Sequence, residues 1–231
     1  MIHTYWECTR LLLPLKYTWK ISRNASTEKT NLLVLLHIDA KIYAGEAAPN
    51  IRYGETIELI ESQFKGFTTT WDAALLRDEN KFNDCLDALR LCQSLRFAIE
   101  SAYVHARCDS DPYFFKRYTG IELNTAPLAT SYTLPIMEPG AIQHFISEHN
   151  LTRFDSLKIK TGKEESKELI KTAHRYFNKS IRVDANEAWQ DPDLLIKEME
   201  DLSALPLEFL EQPFPSDQKD AYKYLKKYSI V

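Results

Sequence analysis

The spacing of apolar residues changes along the first half of the chain, from a strand-like pattern to a helix-like one. Residues 5–15 and 32–44 run or alternate apolar, which predicts two β-strands. The polar residues 19–31 between them predict a hairpin with a long mobile connection. A further loop is predicted over residues 45–54, which include Pro49.

Amphipathic helices are predicted after this loop. In residues 55–65 and again in 81–106, apolar side chains recur at three- and four-residue spacing, as they do on the buried stripe of a helix. A loop is predicted over residues 109–119. Strands followed by helices are typical of an α+β unit. We therefore predict an N-terminal α+β domain over residues 1–124.

From residue 125 onward, short strand-like runs alternate strictly with helical segments. The predicted strands cover residues 132–137, 156–160, 181–186 and 207–211, and the predicted helices cover 141–148, 163–177, 193–202 and 217–228. Asp191 and Pro192 mark the start of the third helix, because an N-cap acceptor is followed by proline at the first helical position. Repeated βα units of this kind form a parallel sheet through right-handed crossovers.

The length of this second region restricts it to part of a barrel. A complete eight-fold barrel takes about 250 residues, whereas residues 125–231 supply less than half of that length. They provide strands 1–4 and, at residues 229–231, the expected start of strand 5. We therefore expect a partial (β/α) barrel in a truncated chain.

Composition and charge narrow the functional classes. The 231 residues are 44% hydrophobic and 27% charged, which is typical of a globular protein. A net charge of -4 gives no basic surface for nucleic acid or an anionic membrane. The chain has neither an apolar run of about 20 residues nor a signal-peptide pattern. We expect a cytoplasmic protein without either partner, and a homo-oligomer remains open.

The four cysteines show no metal-binding or redox pairing. Cys8, Cys85, Cys92 and Cys108 are far apart in sequence and form no CxxC motif. A chain of this length does not need disulfides to stabilise its core. We expect buried free thiols.

Two lysines lie at the end of the second predicted barrel strand. Lys158 and Lys160 are two residues apart, so their side chains point to the same face of the sheet. Neighbouring ammonium groups disfavour each other's charge, so we expect each to lower the pKa of the other. A lysine tuned in this way can act as a general base. The alternative is a pair of solvated lysines at a surface strand end.

Acidic and amide side chains end the next two predicted strands. Asp184 and Asn186 share one face by the same alternation, and Glu211 closes the following strand. Their oxygens can converge on one hard cation, and Mg²⁺ prefers such ligands. Two carboxylates make an incomplete cage, which a third from the next strand would complete. The alternative is that these carboxylates cap helices or pair with Lys158 and Lys160.

Three motifs in this order resemble the enolase superfamily, and within it the muconate-lactonising subgroup. They are Lys158-Ile-Lys160, Asp184-Ala-Asn186-Glu-Ala-Trp189 and Glu211-Gln-Pro213. In the N-terminal domain, residues 45–49 (Gly-Glu-Ala-Ala-Pro) and 53–56 (Tyr-Gly-Glu-Thr) are similar to that subgroup's dipeptide epimerases, of the L-Ala-D/L-Glu kind. The resemblance implies a capping α+β domain followed by the first half of a modified TIM barrel, with Mg²⁺ as cofactor.

The resemblance also implies roles for individual residues. Lys160 would remove the proton next to a substrate carboxylate, giving an enediolate, and Lys158 would assist it. Asp184 and Glu211 would be Mg²⁺ ligands. The candidates for substrate binding are Arg23, Thr133 and Asn186. Arg23 would pair with a substrate carboxylate, although a solvated loop arginine is the alternative. A third metal ligand and a second catalytic lysine are expected beyond Val231.

The leading hypothesis is a Mg²⁺-dependent isomerase, a dipeptide epimerase of the L-Ala-D/L-Glu type that acts on a dipeptide or a related carboxylate. The same lysines and acids fit o-succinylbenzoate synthase or a muconate cycloisomerase. A third hypothesis is a non-catalytic truncated remnant, and we expect this chain to be inactive alone. A half barrel would also expose apolar interior side chains and an unpaired strand edge.

Overall fold

The computed structural model describes residues 3–21, 24–162 and 166–228. The chain divides into two compact units. The first unit comprises Met1–Pro14 and Glu28–Thr125, and the second comprises Leu15–Thr27 and Ala126–Val231.

The N-terminal strands form a three-stranded sheet in the order β1-β2-β3. The strands are β1 (Thr4–Ile21), β2 (Asn24–Ile38) and β3 (Lys41–Ala47), and β2 pairs with β3 in antiparallel register. The prediction of one strand over residues 32–44 was wrong, because Asp39 has a left-handed φ of 51° and turns the chain between β2 and β3.

The prediction of a long connection over residues 19–31 was also wrong for the residues that the structure describes. Strand geometry continues to Ile21 and is present again from Asn24. Tyr17 and Trp19 favour strands, and a paired backbone satisfies its hydrogen bonds whatever the polarity of its side chains. Polar composition alone therefore did not mark a loop here.

The helices of the first unit follow the sheet. They are α1 (Ile57–Thr70), α2 (Glu79–Leu89), α3 (Gln93–Ser110) and α4 (Phe114–Thr119), with 3₁₀ turns at Ile51–Tyr53 and Ala73–Arg77. The stripe over residues 81–106 therefore belongs to two helices rather than one, because Arg90 ends α2 with a left-handed φ of 49°. The predicted loop over 109–119 contains α4, and the predicted loop at residue 45 begins later because β3 reaches Ala47.

A buried carboxylate joins the start of α3 to the loop after β3. Glu55 accepts hydrogen bonds from the backbone N–H groups of Ser94 (3.0 Å) and Asn50 (3.1 Å). Burial raises the pKa of Glu55, but these backbone hydrogen bonds outweigh it and hold the pKa below its usual value. An ionised Glu55 therefore satisfies backbone donors at a helix N-terminus.

The core of the first unit lies between β2, β3 and the helices. Gly45 on β3 marks their closest approach, because a Cβ atom built there would lie 1.9 Å from the backbone oxygen of Ala98 on α3. The largest fully buried side chains of this core are Leu32, Leu36, Ile60, Phe67, Phe82, Leu86, Leu95, Ile99, Tyr103 and Phe114.

The second unit contains the strand and helix alternation that the sequence predicts. The parallel strands are β4 (Ser131–Leu134), β5 (Ser156–Lys160), β6 (Ser180–Asp184) and β7 (Leu207–Glu211), in the order β4-β5-β6-β7. The helices are α5 (Pro139–Glu148), α6 (Ser166–Phe177), α7 (Pro192–Glu200) and α8 (Lys219–Leu225). Asp191 caps α7 as predicted, because its carboxylate accepts the backbone N–H groups of Asp193 and Leu194.

One face of this parallel sheet forms the core of the second unit. Leu134, Ile159, Val183 and Leu210 occupy one register row across all four strands. The first three are buried, and Leu210 is partly buried against them. Apolar side chains of the helices complete this core, among them Ile142, Ile146, Leu169, Ile170, Leu195 and Met199.

The opposite face of the sheet is mainly polar over the described strands. Thr133, Lys158, Arg182 and Phe209 form one register row on this face, and only Phe209 is apolar. The expectation of an exposed apolar interior therefore holds in this row only for Phe209, whose side chain is exposed. The expected strand edges are present, since β4 and β7 are the outer strands of the sheet.

Two further expectations from composition concern the cysteines and membrane spans. All four cysteines are free thiols, as predicted, but they are only partly buried. Within residues 3–21, 24–162 and 166–228, no helix is both long and apolar enough to cross a bilayer.

Candidate active site

Three adjacent strands of the second unit end with charged side chains in one register row. Lys160 on β5 is paired with Asp184 on β6, and Asp184 is paired with Glu211 on β7. Lys158 lies two residues before Lys160 and therefore on the same face of the sheet. The C-terminal ends of parallel strands thus bring these side chains together, as the alternation predicted.

The four charged groups form one continuous cluster. Lys160 Nζ donates to Asp184 Oδ2 at 2.5 Å and to Asn186 Oδ1 at 3.1 Å. Lys158 Nζ lies 2.5 Å from Glu211 Oε2 and 2.9 Å from Asp184 Oδ2. Asp184 therefore contacts both ammonium groups, and Lys158 bridges the two carboxylates. The structure therefore contains the alternative arrangement considered for the sequence, in which Asp184 and Glu211 pair with Lys158 and Lys160.

Asp184 is the centre of the cluster and its most buried member. Its side chain is 1% exposed, compared with 15% for Lys160, 22% for Lys158 and 38% for Glu211. Burial raises the pKa of Asp184, but hydrogen bonds from Lys160 and Lys158 outweigh burial and lower the pKa. Asp184 is thus held as a carboxylate.

The prediction that the two lysines lower each other's pKa was wrong for Lys158. Burial lowers the pKa of Lys158, but its hydrogen bonds with Glu211 and Asp184 outweigh burial and raise the pKa. Two carboxylates lie within 2.9 Å of this ammonium group. Opposite charges on neighbouring strands therefore decide its protonation.

The loops after β6 and β7 fix the cluster in place through left-handed backbone. Asn186, Glu187 and Gln212 have φ values of 47°, 67° and 46°. Asn186 donates to Asp184 Oδ1 from its backbone N (3.0 Å) and from Nδ2 (2.9 Å), and its Nδ2 also contacts Gln212 Oε1 at 3.3 Å. Asn186 thus positions both Asp184 and, through its Oδ1 atom, Lys160.

The two carboxylates supply oxygen donors of the kind that Mg²⁺ takes, which are commonly one or two protein carboxylates. Asp184 Oδ2 and Glu211 Oε2 both contact Lys158 Nζ, so they lie no farther apart than the sum of 2.9 and 2.5 Å. In this structure a lysine ammonium group lies between them where a shared cation would lie. The chemistry of the donors therefore fits a divalent cation once Lys158 moves away.

A third metal ligand of the usual kind is not among the residues that the structure describes. No group of three or more His, Cys, Asp or Glu side chains in those residues could hold a metal ion. A cation at Asp184 and Glu211 would therefore take its remaining ligands from water, a substrate or other parts of the protein.

Of the two remaining residues predicted for substrate binding, the structure describes Thr133 but not Arg23. Thr133 on β4 pairs in register with Lys158, so it lies on the same face of the sheet. Arg23 lies outside the described residues. Sequence reasoning missed Arg182 in this region, and it named Gln212 only as part of a motif, without its contact to Asn186. Arg182 precedes Asp184 by two residues, so the alternation that selected Asp184 could have found it; its Nε donates to Glu208 Oε2 at 2.6 Å.

Comparison with known families agrees with the geometry of these strand ends. Residues 142–231, which include all four charged residues of the cluster, match the family described as "Enolase C-terminal domain-like". The similarity to this family thus covers the part of the chain that carries the cluster. The resemblance inferred from the three motifs is therefore confirmed, and the family match begins within α5 and continues through β7 and α8.

Curated relatives extend the similarity over most of the chain. The chain is 28% identical over 230 residues to an L-Ala-D/L-amino acid epimerase of Flavobacterium johnsoniae, covering 95% of the chain and 64% of that protein. It is 23% identical over 219 residues to an L-Ala-D/L-Glu epimerase of Bacteroides thetaiotaomicron, covering 94% of the chain and 56% of that protein. The chain thus spans less than two thirds of the length of these relatives.

A solved structure supports the fold. A dipeptide epimerase from Enterococcus faecalis V583, complexed with Mg and the dipeptide L-Leu-L-Tyr, superposes with a TM-score of 0.81 at 22% identity. The match covers 98% of this chain and 65% of that one. At this identity the likeness concerns the fold, and it confirms a capping sheet with helices followed by parallel βα units.

Proposed function

We propose that this chain carries part of the active site of a metal-dependent dipeptide epimerase, which inverts the configuration of a carbon next to a carboxylate. One observation carries the proposal. Lys158, Lys160, Asp184 and Glu211 meet at the C-terminal ends of adjacent parallel strands, joined by contacts of 2.5 to 2.9 Å. This is the end of a (β/α) barrel where catalytic residues collect.

Lys160 is the proposed base. It lies at the very end of β5 with its amine directed to the buried Asp184, and Asn186 limits its orientation from the other side. In its neutral form, an amine at this position can accept a proton from a carbon positioned above the strand ends. Lys158, on the same face, contributes positive charge toward a substrate carboxylate.

Asp184 and Glu211 are the proposed metal ligands. When bound there, a divalent cation such as Mg²⁺ supplies positive charge that stabilises a substrate carboxylate as its neighbouring carbon loses a proton. The chain's own contribution is to hold Asp184 ionised through Lys160 and Asn186. A cation bound there would displace Lys158 from the oxygens of Asp184 and Glu211 that it contacts in this structure.

Three further residues are proposed to recognise the substrate. Asn186 and Thr133 lie on or beside the strands that carry the cluster and are proposed to contact the substrate. Arg23 is proposed to pair with a side-chain carboxylate of the substrate. The relatives described above are named as epimerases of L-Ala-D/L-Glu and related dipeptides, which supports a dipeptide as the substrate class.

The position of the lysines leads to a stereochemical test. Both lysines lie on one face of the sheet, and a base on one side of the substrate removes only the proton that points toward it. Inversion needs a second base on the opposite side, so this chain should be inactive alone as an epimerase, as expected from its sequence. In D₂O with Mg²⁺, we nevertheless expect the half-reaction, a slow incorporation of deuterium at the α-carbon of the glutamate in one stereoisomer of Ala-Glu without formation of the other. Mass spectrometry and proton NMR would follow both quantities.

Variants separate the base from general effects of charge. Lys160→Met should abolish the exchange, whereas Lys65→Met, at an exposed position on α1, should leave it unchanged. Magnesium binding would be measured independently by calorimetry. Magnesium binding without exchange in any dipeptide would reject the substrate class, and exchange that persists in Lys160→Met would reject Lys160 as the base.

A further inference from the structure

A cavity of about 650 Å³ lies within the first unit. It is formed by the turn between β2 and β3, the 3₁₀ turn Ala73–Arg77 and the C-terminal end of α3. Its volume falls within the range of about 300–1,000 Å³ that is usual for small-molecule pockets. None of the residues that line it belongs to the lysine and carboxylate cluster on β5, β6 and β7.

Part of the cavity wall is apolar. Ile38 at the end of β2, Leu76 in the 3₁₀ turn and Ala106 on α3 all line it, and all three pack in or against the core of the first unit. Ala40 in the β2–β3 turn also lines the cavity. These apolar side chains would contact a short hydrocarbon chain or a ring.

The acidic side chains of the cavity already have partners. Asp109 Oδ2 accepts hydrogen bonds from Lys41 Nζ at 2.5 Å and from Tyr43 Oη at 2.8 Å. Asp39 Oδ1 accepts the backbone N–H of His3 at 3.0 Å. Asp109 is therefore compensated by Lys41.

Two arginines that line the cavity form no ion pair of this kind, although the charge of Arg107 also acts on Asp111 and helps to lower the pKa of that carboxyl. Neither Arg77 nor Arg107 forms an ion pair with a carboxylate among the residues that the structure describes. Arg107 is nevertheless fixed: its Nη1 donates to Leu76 O and to Tyr103 Oη, both at 2.8 Å, and its guanidinium lies 4.3 Å from the centre of the Phe114 ring.

This arrangement selects for one class of ligand. A guanidinium that is already oriented binds a carboxylate with little further loss of side-chain freedom, and it can do so through two parallel hydrogen bonds. We propose that the cavity binds a small organic anion, a carboxylate attached to a short apolar chain or ring. Arg107 and Arg77 would hold the carboxylate, and Ile38, Leu76 and Ala106 would contact the apolar part.

The probe is hexanoate, titrated into the full 231-residue chain and followed by NMR chemical shifts and calorimetry. We expect saturable binding of hexanoate. Hexan-1-ol lacks the carboxylate and acetate lacks the apolar chain, so each should bind about tenfold more weakly. Arg77→Gln should weaken hexanoate binding several-fold. The matched control is Lys65→Gln, which removes the same charge from an exposed site on α1 and should change nothing.

A second variant separates charge from geometry. Arg107→Lys keeps the positive charge but removes the planar fork, so hexanoate should bind less tightly in a protein whose urea unfolding confirms a folded first unit. Three results would overturn the proposal: no saturation with hexanoate, equal affinity for hexan-1-ol, or equal losses in Arg77→Gln and Lys65→Gln. Inorganic phosphate binding as tightly as hexanoate would also overturn it, because the apolar wall would then contribute nothing.

Discussion

Replacement of Asp184 by asparagine removes the negative charge at the centre of the lysine and carboxylate cluster. The wild-type carboxylate is 1% exposed and contacts both Lys160 and Lys158. Loss of one partner from a buried ion pair costs about 3–5 kcal/mol, because the remaining charge is left without compensation. Since both lysines retain some contact with solvent, we expect Asp184→Asn to lower the free energy of unfolding by about 3 kcal/mol.

Glu211→Gln provides an internal comparison within the same cluster. The Glu211 side chain is 38% exposed, and Lys158 would keep Asp184 as a partner if Glu211 were neutral. We therefore expect a loss of about 1 kcal/mol, the upper value for an exposed pair. Asp220→Asn, at a side chain that is 95% exposed, should have no measurable effect.

Urea unfolding at neutral pH, in EDTA and followed by circular dichroism, would measure these free energies without a contribution from bound metal. The pH dependence gives a second check. Because the pKa of Asp184 is lowered in the folded state, its contribution is present above the unfolded value of about 3.9 and is lost as the pH falls through the folded pKa. The difference between wild type and Asp184→Asn should therefore shrink below about pH 4. If Asp184→Asn cost no more than Glu211→Gln, Asp184 would not be the centre of the cluster.

Three further perturbations test other parts of the structure. Gly45→Ala should destabilise the first unit by about 2 kcal/mol or more in thermal unfolding, because its Cβ would meet the backbone oxygen of Ala98. As a control, a Cβ at Gly66 in α1 would meet nothing within 4 Å, so Gly66→Ala should stabilise the protein by up to about 1 kcal/mol. Glu55→Gln should lower the free energy of unfolding in urea by about 1–3 kcal/mol. Because the pKa of Glu55 is lowered in the folded protein, this loss should fade below about pH 4. An equal loss at all pH values would contradict an ionised helix cap. Lys158→Met should tighten Mg²⁺ binding about tenfold in calorimetry, because the ammonium group and the metal use the same oxygens; unchanged affinity would show that they do not.

The sequence predicted the second unit more accurately than the first. Two strands of the second unit, at residues 156–160 and 207–211, have the predicted limits, because each is a short strand-like run bounded by turn and helix signals. In the first unit, single residues with left-handed backbone divide longer apolar patterns. Asp39 separates β2 from β3 and Arg90 ends α2, and neither is a glycine that would have marked the break.

The candidate site could be predicted as a set of residues but not as a set of contacts. The alternation of side chains on a strand was sufficient to place Lys158 and Lys160 on one face, since it depends only on local geometry. Asp184 lies on the next strand and joins that face through its register with Lys160. The left-handed backbone at Asn186 and Gln212, through which the two loops hold the acids in place, depends on hydrogen bonds between loops that are 26 positions apart. Such pairing has no local signal in the sequence.

The protonation of the cluster shows why distance within the fold outweighs proximity along the chain. Two residues that alternate on one strand are about 6.6 Å apart along it, whereas neighbouring strands are separated by about 4.8 Å. Side chains that point toward each other bring the charges on different strands closer still. Lys158 Nζ lies 2.9 Å from Asp184 Oδ2 on β6 and 2.5 Å from Glu211 Oε2 on β7. Because Coulomb energy varies inversely with distance, the attraction across strands exceeds the repulsion along β5. Lys158 therefore stays charged while it contacts these two carboxylates, and a cation bound by Asp184 and Glu211 would compete with it for the same oxygens.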